Sequence, residues 1–430
     1  MATSPDVVPN LDLRDPHPIP GPWPHYALMA LHTVLLAGPD FRHRRTVATV
    51  GTIALMSVCW IRANFTTDFG FAQPFSIAWS TYLATLEKIV LLPRGATPES
   101  SFWRIDRPAR EATSYAAFGL SKIRWALTLI FNMRGVRWNY QVKNVPPVSA
   151  GRRLVSRTDF LLRRAAMAVY YLVMADLASQ AAVTVLYTNE ATLVRGQVDS
   201  KYLHLRDGRS AVWSFLRAVV FGVQPYYMLQ LQYAVLSLLA VSVQLSQPTD
   251  WPPIFGDLAE TTSVRDFWGR YWHQTLRRMF EAWSRAFCDA WGLRPGTWQS
   301  RYARLWLSFL MSGLGHAASV LILPSPRNIT FGERTGGLLA FFLWQAAVIT
   351  FEDGVKHLWR RRIGGPSATE SALVRMIGYA WVVCTLWYSM SWAGDVFLRL
   401  RLAEEPLFPF TLWGRLLETW VPRIRDYLVS

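Results

Sequence analysis

The sequence predicts an all-α, polytopic integral membrane protein with about seven to nine transmembrane helices. Three observations carry that expectation. Hydrophobic residues make up 51% of the 430 and charged residues only 17%, well below the roughly 25% charged share of ordinary soluble domains. Apolar runs near bilayer length recur along the whole chain. The formal charge of +16, from 45 Lys and Arg against 29 Asp and Glu, sits mostly between those runs, as the positive-inside rule requires. This composition excludes a disordered chain and argues against a soluble multi-domain enzyme. The three cysteines, Cys59, Cys288 and Cys384, are too scattered for a disulfide framework. No nucleic-acid-binding module accompanies the basic charge, so nucleic acid is not an expected partner.

Residues 1–24 read as a polar, proline-punctuated tail without the pattern of a cleavable signal peptide. Residues 25–430 read as one membrane-embedded domain. Tyr26–Ala37 is a short apolar stretch and Thr46–Ile61 a better span. Phe71–Leu92 is long enough, but Pro74, Glu87 and Lys88 suggest that it lies partly in the interface. The region 94–164 is polar and basic, with Asp159 the only acid between Lys122 and Arg164, and is expected to be cytosolic. Ala165–Tyr187 is a span in which Asp176 and Gln180, four residues apart, should face protein rather than lipid. Ala211–Leu245 is one kinked helix or two short ones. A second basic region, 247–304, is expected on the cytosolic side as well. Spans at Leu305–Leu323, Gly337–Phe351 and Met376–Leu398 follow, then an apolar piece at 407–420.

Several chemistries are argued against by absence. The eight histidines include no pair at metal-ligand helical spacing, no Asp-rich cluster could hold a magnesium diphosphate, and neither a GxSxG elbow nor a P-loop occurs. No metal site is expected. One pair of features remains. His316 stands in the apolar body of a predicted span, with Gly313, Gly315, Ala317 and Ala318 leaving room beside it. An intramembrane imidazole usually has a job, although a structural hydrogen bond to a neighbouring helix would also explain it. The second feature is the stretch Ser263–Arg278. Read as a helix capped by Ser263, it puts Arg270, His273 and Arg277 on one face, with Trp268, Trp272 and Thr275 beside them. Arginine forks onto phosphate and indole stacks on a base, so the stretch suits a nucleotide. An amphipathic helix on the membrane surface would look much the same.

The residues Trp251-Pro252-Pro253-Ile254-Phe255-Gly256, Ser263-Val264-Arg265-Asp266-Phe267-Trp268-Gly269-Arg270-Tyr271-Trp272-His273-Gln274 and Ser312-Gly313-Leu314-Gly315-His316 resemble the signature of the wax-synthase-like family within the membrane-bound O-acyltransferase (MBOAT) superfamily. Tyr271 departs from it, standing where the family often has Arg. The resemblance covers about 250–320 in detail. It implies an MBOAT-like fold and transfer of an acyl group, acetyl in many fungal members of this size, from acyl-CoA to the hydroxyl of an apolar acceptor such as a terpenoid or polyketide. It further implies His316 as the catalytic histidine and His273 as its polar partner. The thioester is already activated, so the demand is for a base near the alcohol, the role assigned to His316. Arg265, Arg270, Arg277 and Arg278, with Trp268 and Trp272, are the expected CoA-binding residues. Acyl-CoA is expected as co-substrate, with no permanently bound cofactor. The bilayer, probed from its cytosolic side, is the other partner, and the endoplasmic reticulum the expected membrane. A long-chain wax-ester synthase and a non-catalytic lipid or metabolite transporter are the alternatives.

Overall fold

Polar caps and prolines decide where the apolar runs become helices. The computed structural model describes residues 13–15, 21–147, 156–187, 200–206, 208, 210–362 and 372–429. Helix α1 (Trp23–Ala37) opens with Pro24 in its first turn, where the missing N–H has no intrahelical partner to lose, and ends at Gly38. Helix α2 (Arg44–Ile61) packs back along it. Asp68 caps α3 (Phe69–Ser76) by accepting the Phe71 N–H at 3.1 Å, and α4 (Trp79–Val90) follows after a break at Ile77 and Ala78. The run Phe71–Leu92 is therefore two helices rather than one. The residues that made it look interfacial, Glu87 and Lys88, are buried inside the protein, at 3% and 1% exposed. The short α5 (Pro98–Ser101) carries a Thr97–Ser100 capping box, and α6 (Leu120–Phe131) packs against α1 and α4.

Helices α7 (Arg157–Leu186) and α8 (Ala211–Ser242) run antiparallel against each other. Arg157 at the start of α7 donates to the carbonyls of Val241 and Ser242 at the end of α8. Pro225 stays inside one continuous α8, which answers the question of one helix or two. Asp176 and Gln180 face protein as expected, and Asp176 accepts the Leu412 N–H at 2.8 Å. Then come α9 (Val264–Asp266), α10 (Arg277–Ala290), α11 (Trp298–Ile322), α12 (Phe331–Arg362), α13 (Ala372–Arg399) and the amphipathic α14 (Gly414–Val429).

Among the described residues there is no strand, only isolated bridges between Leu13 and Pro326 and between Arg104 and Trp138. The first belongs to a stitch. Arg14 donates its N–H to Ser325 at 3.1 Å, and Asn64, just past α2, donates to the Arg14 carbonyl at 2.9 Å. Four helices, α7, α11, α12 and α13, are long and apolar enough to cross a membrane. The others fall short for physical reasons: α1 and α4 lack length, and α8 is diluted by Arg217, Gln224, Gln230 and Gln232.

The basic regions are not simply solvated loops. Lys122 and Arg134 in the first are 5% and 6% exposed. In the second, α9 packs against α12, and α10 packs against α11 and α4.

Candidate active site

The second basic region departs most from its sequence reading. A continuous helix over Ser263–Arg278 does not form. Ser263 does cap the start, accepting the Asp266 N–H, but α9 passes into a single π-helical turn at Phe267–Tyr271. Trp272 N–H then bonds the Phe267 carbonyl at 2.7 Å, and the chain turns extended. Gly269 in the middle weakens helix continuity, and the buried Gln274 competes for the backbone by donating to the carbonyls of Trp268 and Trp272. Arg270, His273 and Arg277 consequently do not form one helical face.

Glycine at 256 is a packing requirement. A Cβ there would lie 2.3 Å from the Arg270 carbonyl oxygen, and the Gly256 N–H bonds the Tyr271 carbonyl at 2.8 Å. The Trp251–Gly256 turn is thus seated directly on the π turn. Phe255, 5% exposed, contacts Tyr271, Trp272 and His273.

The π turn descends along α11 and α12. At its upper end Glu352 accepts the N–H groups of Val264 and Arg265, and Asp353 gathers Arg265, Arg301 and Tyr302. Deeper, the Trp268 ring inserts among Phe309, Phe341 and Phe342, and its indole N–H reaches Gln345, which donates on to Ser389. Phe342 also touches His316, with ring centroids 4.6 Å apart. His316 lies about 22 Å along α11 from the level of Arg301, at 1.5 Å per residue.

His316 is half-buried between Phe342 and Trp79, whose ring it meets edge-on at 5.9 Å. A Cβ at Gly315 would fall 2.3 Å from that indole, so only glycine lets Trp79 come this close. The His316 Nδ1 lies 2.8 Å from the Ser312 carbonyl oxygen. A carbonyl only accepts, so Nδ1 carries the proton and the ring is aimed with its Nε2 lone pair free. No described residue bonds that Nε2. His273 is half-buried, and its Nδ1 has no partner. Burial above all, with His316 and Arg134 nearby, lowers its pKa to about 4, so it is neutral at pH 7. The structure therefore brings the two sequence-predicted histidines into one neighbourhood.

The expected CoA-binding residues do not form one set. Arg265 is ion-paired with Asp353 at 2.6 Å. Arg277 is held by Glu281, Gln274 and the Gly269 carbonyl. Arg278 pairs with the buried Glu87 at 2.9 Å and lies over Tyr140. Arg270 is the one that reaches out, with its side chain 57% exposed. Trp272 stacks on Phe267 and Trp268 is wedged between helices, so both are aromatic packing residues in this structure. Sequence reasoning missed Trp79, Phe342, Gln345 and Glu352. The available signal was Gln345 in the middle of the predicted span Gly337–Phe351 and Glu352 just past its end.

Four helices long and apolar enough to cross a membrane, together with an inserted turn that carries one imidazole toward another, are the architecture of a membrane protein. Two family profiles match the chain: the Aspirochlorine biosynthesis protein F C-terminal domain over residues 156–242, and the Membrane bound O-acyl transferase family over residues 251–344. Among relatives, it is 41% identical over 226 residues to Aspirochlorine biosynthesis protein F of Aspergillus oryzae, covering 52% of this chain and 85% of that protein. It is 30% identical to Acetyltransferase sirH of Emericella nidulans, over 64% of this chain and 59% of that protein. It is 31% identical to Acetyltransferase ple2 of Rhodocybe pseudopiperita, over 64% and 67%. The chain belongs to the membrane-bound O-acyl transferase family, in the group that contains these fungal proteins. The match over 251–344 takes in the Trp251–Gly256 turn, the π turn, His273 and His316.

Proposed function

We propose that this protein transfers an acetyl group from acetyl-CoA to a hydroxyl of an apolar secondary metabolite of terpenoid or polyketide type. The observation that carries the reading is the orientation of His316: Nδ1–H spent on the Ser312 carbonyl, Nε2 open. The names of the relatives support acetyl as the acyl group and secondary metabolism as the setting.

The chemistry needs little else. The alcohol oxygen attacks the thioester carbonyl as His316 Nε2 takes its proton. The tetrahedral intermediate collapses with cleavage of the C–S bond, and the leaving thiolate recovers the proton, giving ester and free CoA. His273, neutral and with an unpartnered Nδ1, is suited to bond the thioester oxygen or orient the thiol. Arg270 is the best-placed guanidinium for a CoA phosphate, since the other three are engaged by protein groups. Trp79 and Phe342 wall the reacting centre and keep water from the thioester.

In this reading 94–164 and 247–304 belong to the cytosolic face of the endoplasmic reticulum, where acyl-CoA is found. α1, α2, the α3–α4 pair and α8, too short or too polar to cross unaided, would do so packed against one another and add four crossings to α7, α11, α12 and α13, eight in all. The test is His316→Ala in purified membranes supplied with acetyl-CoA and a panel of terpenoid, polyketide and fatty alcohols. Wild-type protein is expected to yield an acetyl ester, seen by mass spectrometry with release of free thiol, and the variant to lose about 10²–10⁴-fold in rate while inserting normally. An unchanged rate in the variant overturns the assignment of the base.

A further inference from the structure

Arg134 lies more than a hundred residues upstream of both histidines, in the turn after α6, and is 6% exposed. That turn is rigid. Asn132 and Val136 exchange two hydrogen bonds of 3.0 Å, and Val142 N–H bonds the Arg134 carbonyl at 3.0 Å. Gly135, at φ +62, lies so close to Tyr140 that a Cβ would fall 2.5 Å from its ring. Among the described residues Arg134 pairs with no carboxylate. Its guanidinium instead donates to the carbonyls of Pro253 at 2.7 Å and Pro252 at 3.2 Å, and to the Tyr233 hydroxyl at 2.8 Å. Tyr233 in turn donates to the Pro252 carbonyl at 2.6 Å, and Arg164 takes the Trp251 carbonyl at 3.0 Å. Three successive carbonyls are thus gripped by two arginines. The prolines lack N–H groups and cannot turn this segment into a helix or ladder.

We propose that Arg134 is a positioning residue of acyl transfer. It anchors the Trp251–Gly256 turn, on which Gly256 and Phe255 seat the segment that carries His273 toward His316. This rests on the paired-histidine reading above. A planar fork is what satisfies two carbonyls and a hydroxyl together, and the single ammonium of lysine reproduces its charge but not its geometry. Loosening the turn spoils the alignment of His273 in the reacting complex, whereas the exposed Arg270 side chain keeps its reach to a CoA phosphate, so the effect falls mainly in kcat. A displacement near 1 Å is worth up to about 10²-fold.

The experiment compares Arg134→Gln, Arg134→Lys, Tyr233→Phe and His316→Ala with wild type, full-length in lipid nanodiscs. It follows thiol release from acetyl-CoA with farnesol and other terpenoid alcohols, and records the melting temperature. Expected are a 10- to 100-fold loss of kcat in Arg134→Gln at a KM for acetyl-CoA within about twofold of wild type, a partial recovery in Arg134→Lys, and a smaller kcat loss in Tyr233→Phe at unchanged melting temperature. Wild-type kcat in folded Arg134→Gln beside an inactive His316→Ala overturns the proposal, as does a kcat loss that tracks the melting temperature across the series. If Arg134→Gln does not fold, Tyr233→Phe decides: an unchanged kcat there overturns it too. A fully active His316→Ala refutes the underlying reading instead.

Discussion

Gly315→Ala is a one-carbon test of how the site is built. The new methyl would lie 2.3 Å from Trp79 Cζ2 and Cη2 and 2.6 Å from Cζ3, against about 3.5–4.0 Å for carbon atoms at rest. More than 1 Å must be found, and neither partner gives easily. Gly315 is on a 25-residue helix packed along α12, and Trp79 is 6% exposed in a cluster with Leu28, Met56 and Tyr82. Overpacking of this kind costs about 1–3 kcal/mol. Because Trp79 also meets the His316 ring at 5.9 Å, the displaced indole disturbs the imidazole, and about 10²-fold in acyl-transfer rate is expected on top. The assay is a double-mutant cycle with Trp79→Leu, reading melting temperature and thiol release for all four proteins. Trp79→Leu removes the obstacle, so Gly315→Ala should cost less in that background, with a coupling of about 1–2 kcal/mol. Additive effects, or a fully active and stable Gly315→Ala, would refute the claim that glycine is there to admit the indole.

Arg278→Ala should destabilise the protein by about 3 kcal/mol, because it leaves Glu87, 3% exposed, without its guanidinium; equal melting temperatures would contradict this. Arg270→Ala should instead keep the wild-type melting temperature and raise the KM for acetyl-CoA, since that side chain makes only a 3.6 Å contact with Asp266. Buried His273, held at a pKa of about 4, contributes to the pH dependence of stability. The unfolded chain takes up this proton near pH 6.5 and the folded one does not until about 4, so stability falls as pH drops through that window and levels off below it. His273→Gln should lessen the slope in a pH series of melting curves by about one proton's share, and an unchanged slope would count against a buried neutral ring.

The helices were legible where apolar length and bounding polar residues agreed, as in α7, α11 and α13. The run Phe71–Leu92 misled because a break at Ile77 and Ala78 is made by packing, with no proline or glycine at the junction to announce it. His316 could be singled out because an imidazole in an apolar span is conspicuous, and His273 only because it closes the tryptophan-rich block that carries the family resemblance. The arginines could not be sorted. Arg265, Arg270, Arg277 and Arg278 look alike in sequence, and only the positions of Asp353, Glu281 and Glu87, distant for two of the three, distinguish anchors from the exposed one. The π turn was hidden for a related reason: Gln274 reaches back to carbonyls that a helix would have claimed. Arg134 was lost within a charge run that composition reads as solvated.

The stitch between Arg14, Asn64 and the Ser325–Ile329 turn fixes a parity. In the proposed membrane arrangement, segments joined by hydrogen bonds at the helix ends would share a leaflet, so the chain between Arg14 and Ser325 would traverse the bilayer an even number of times. With α11 making one of those passages, an odd number precedes Trp298. The proposed eight-crossing arrangement would satisfy this with five and would put the stitch on the lumenal leaflet, opposite the rim where Arg301 meets Asp353. A cysteine introduced at Asn328 should then react with an impermeant maleimide only after the vesicles are opened, while one at Arg294 reacts in sealed vesicles.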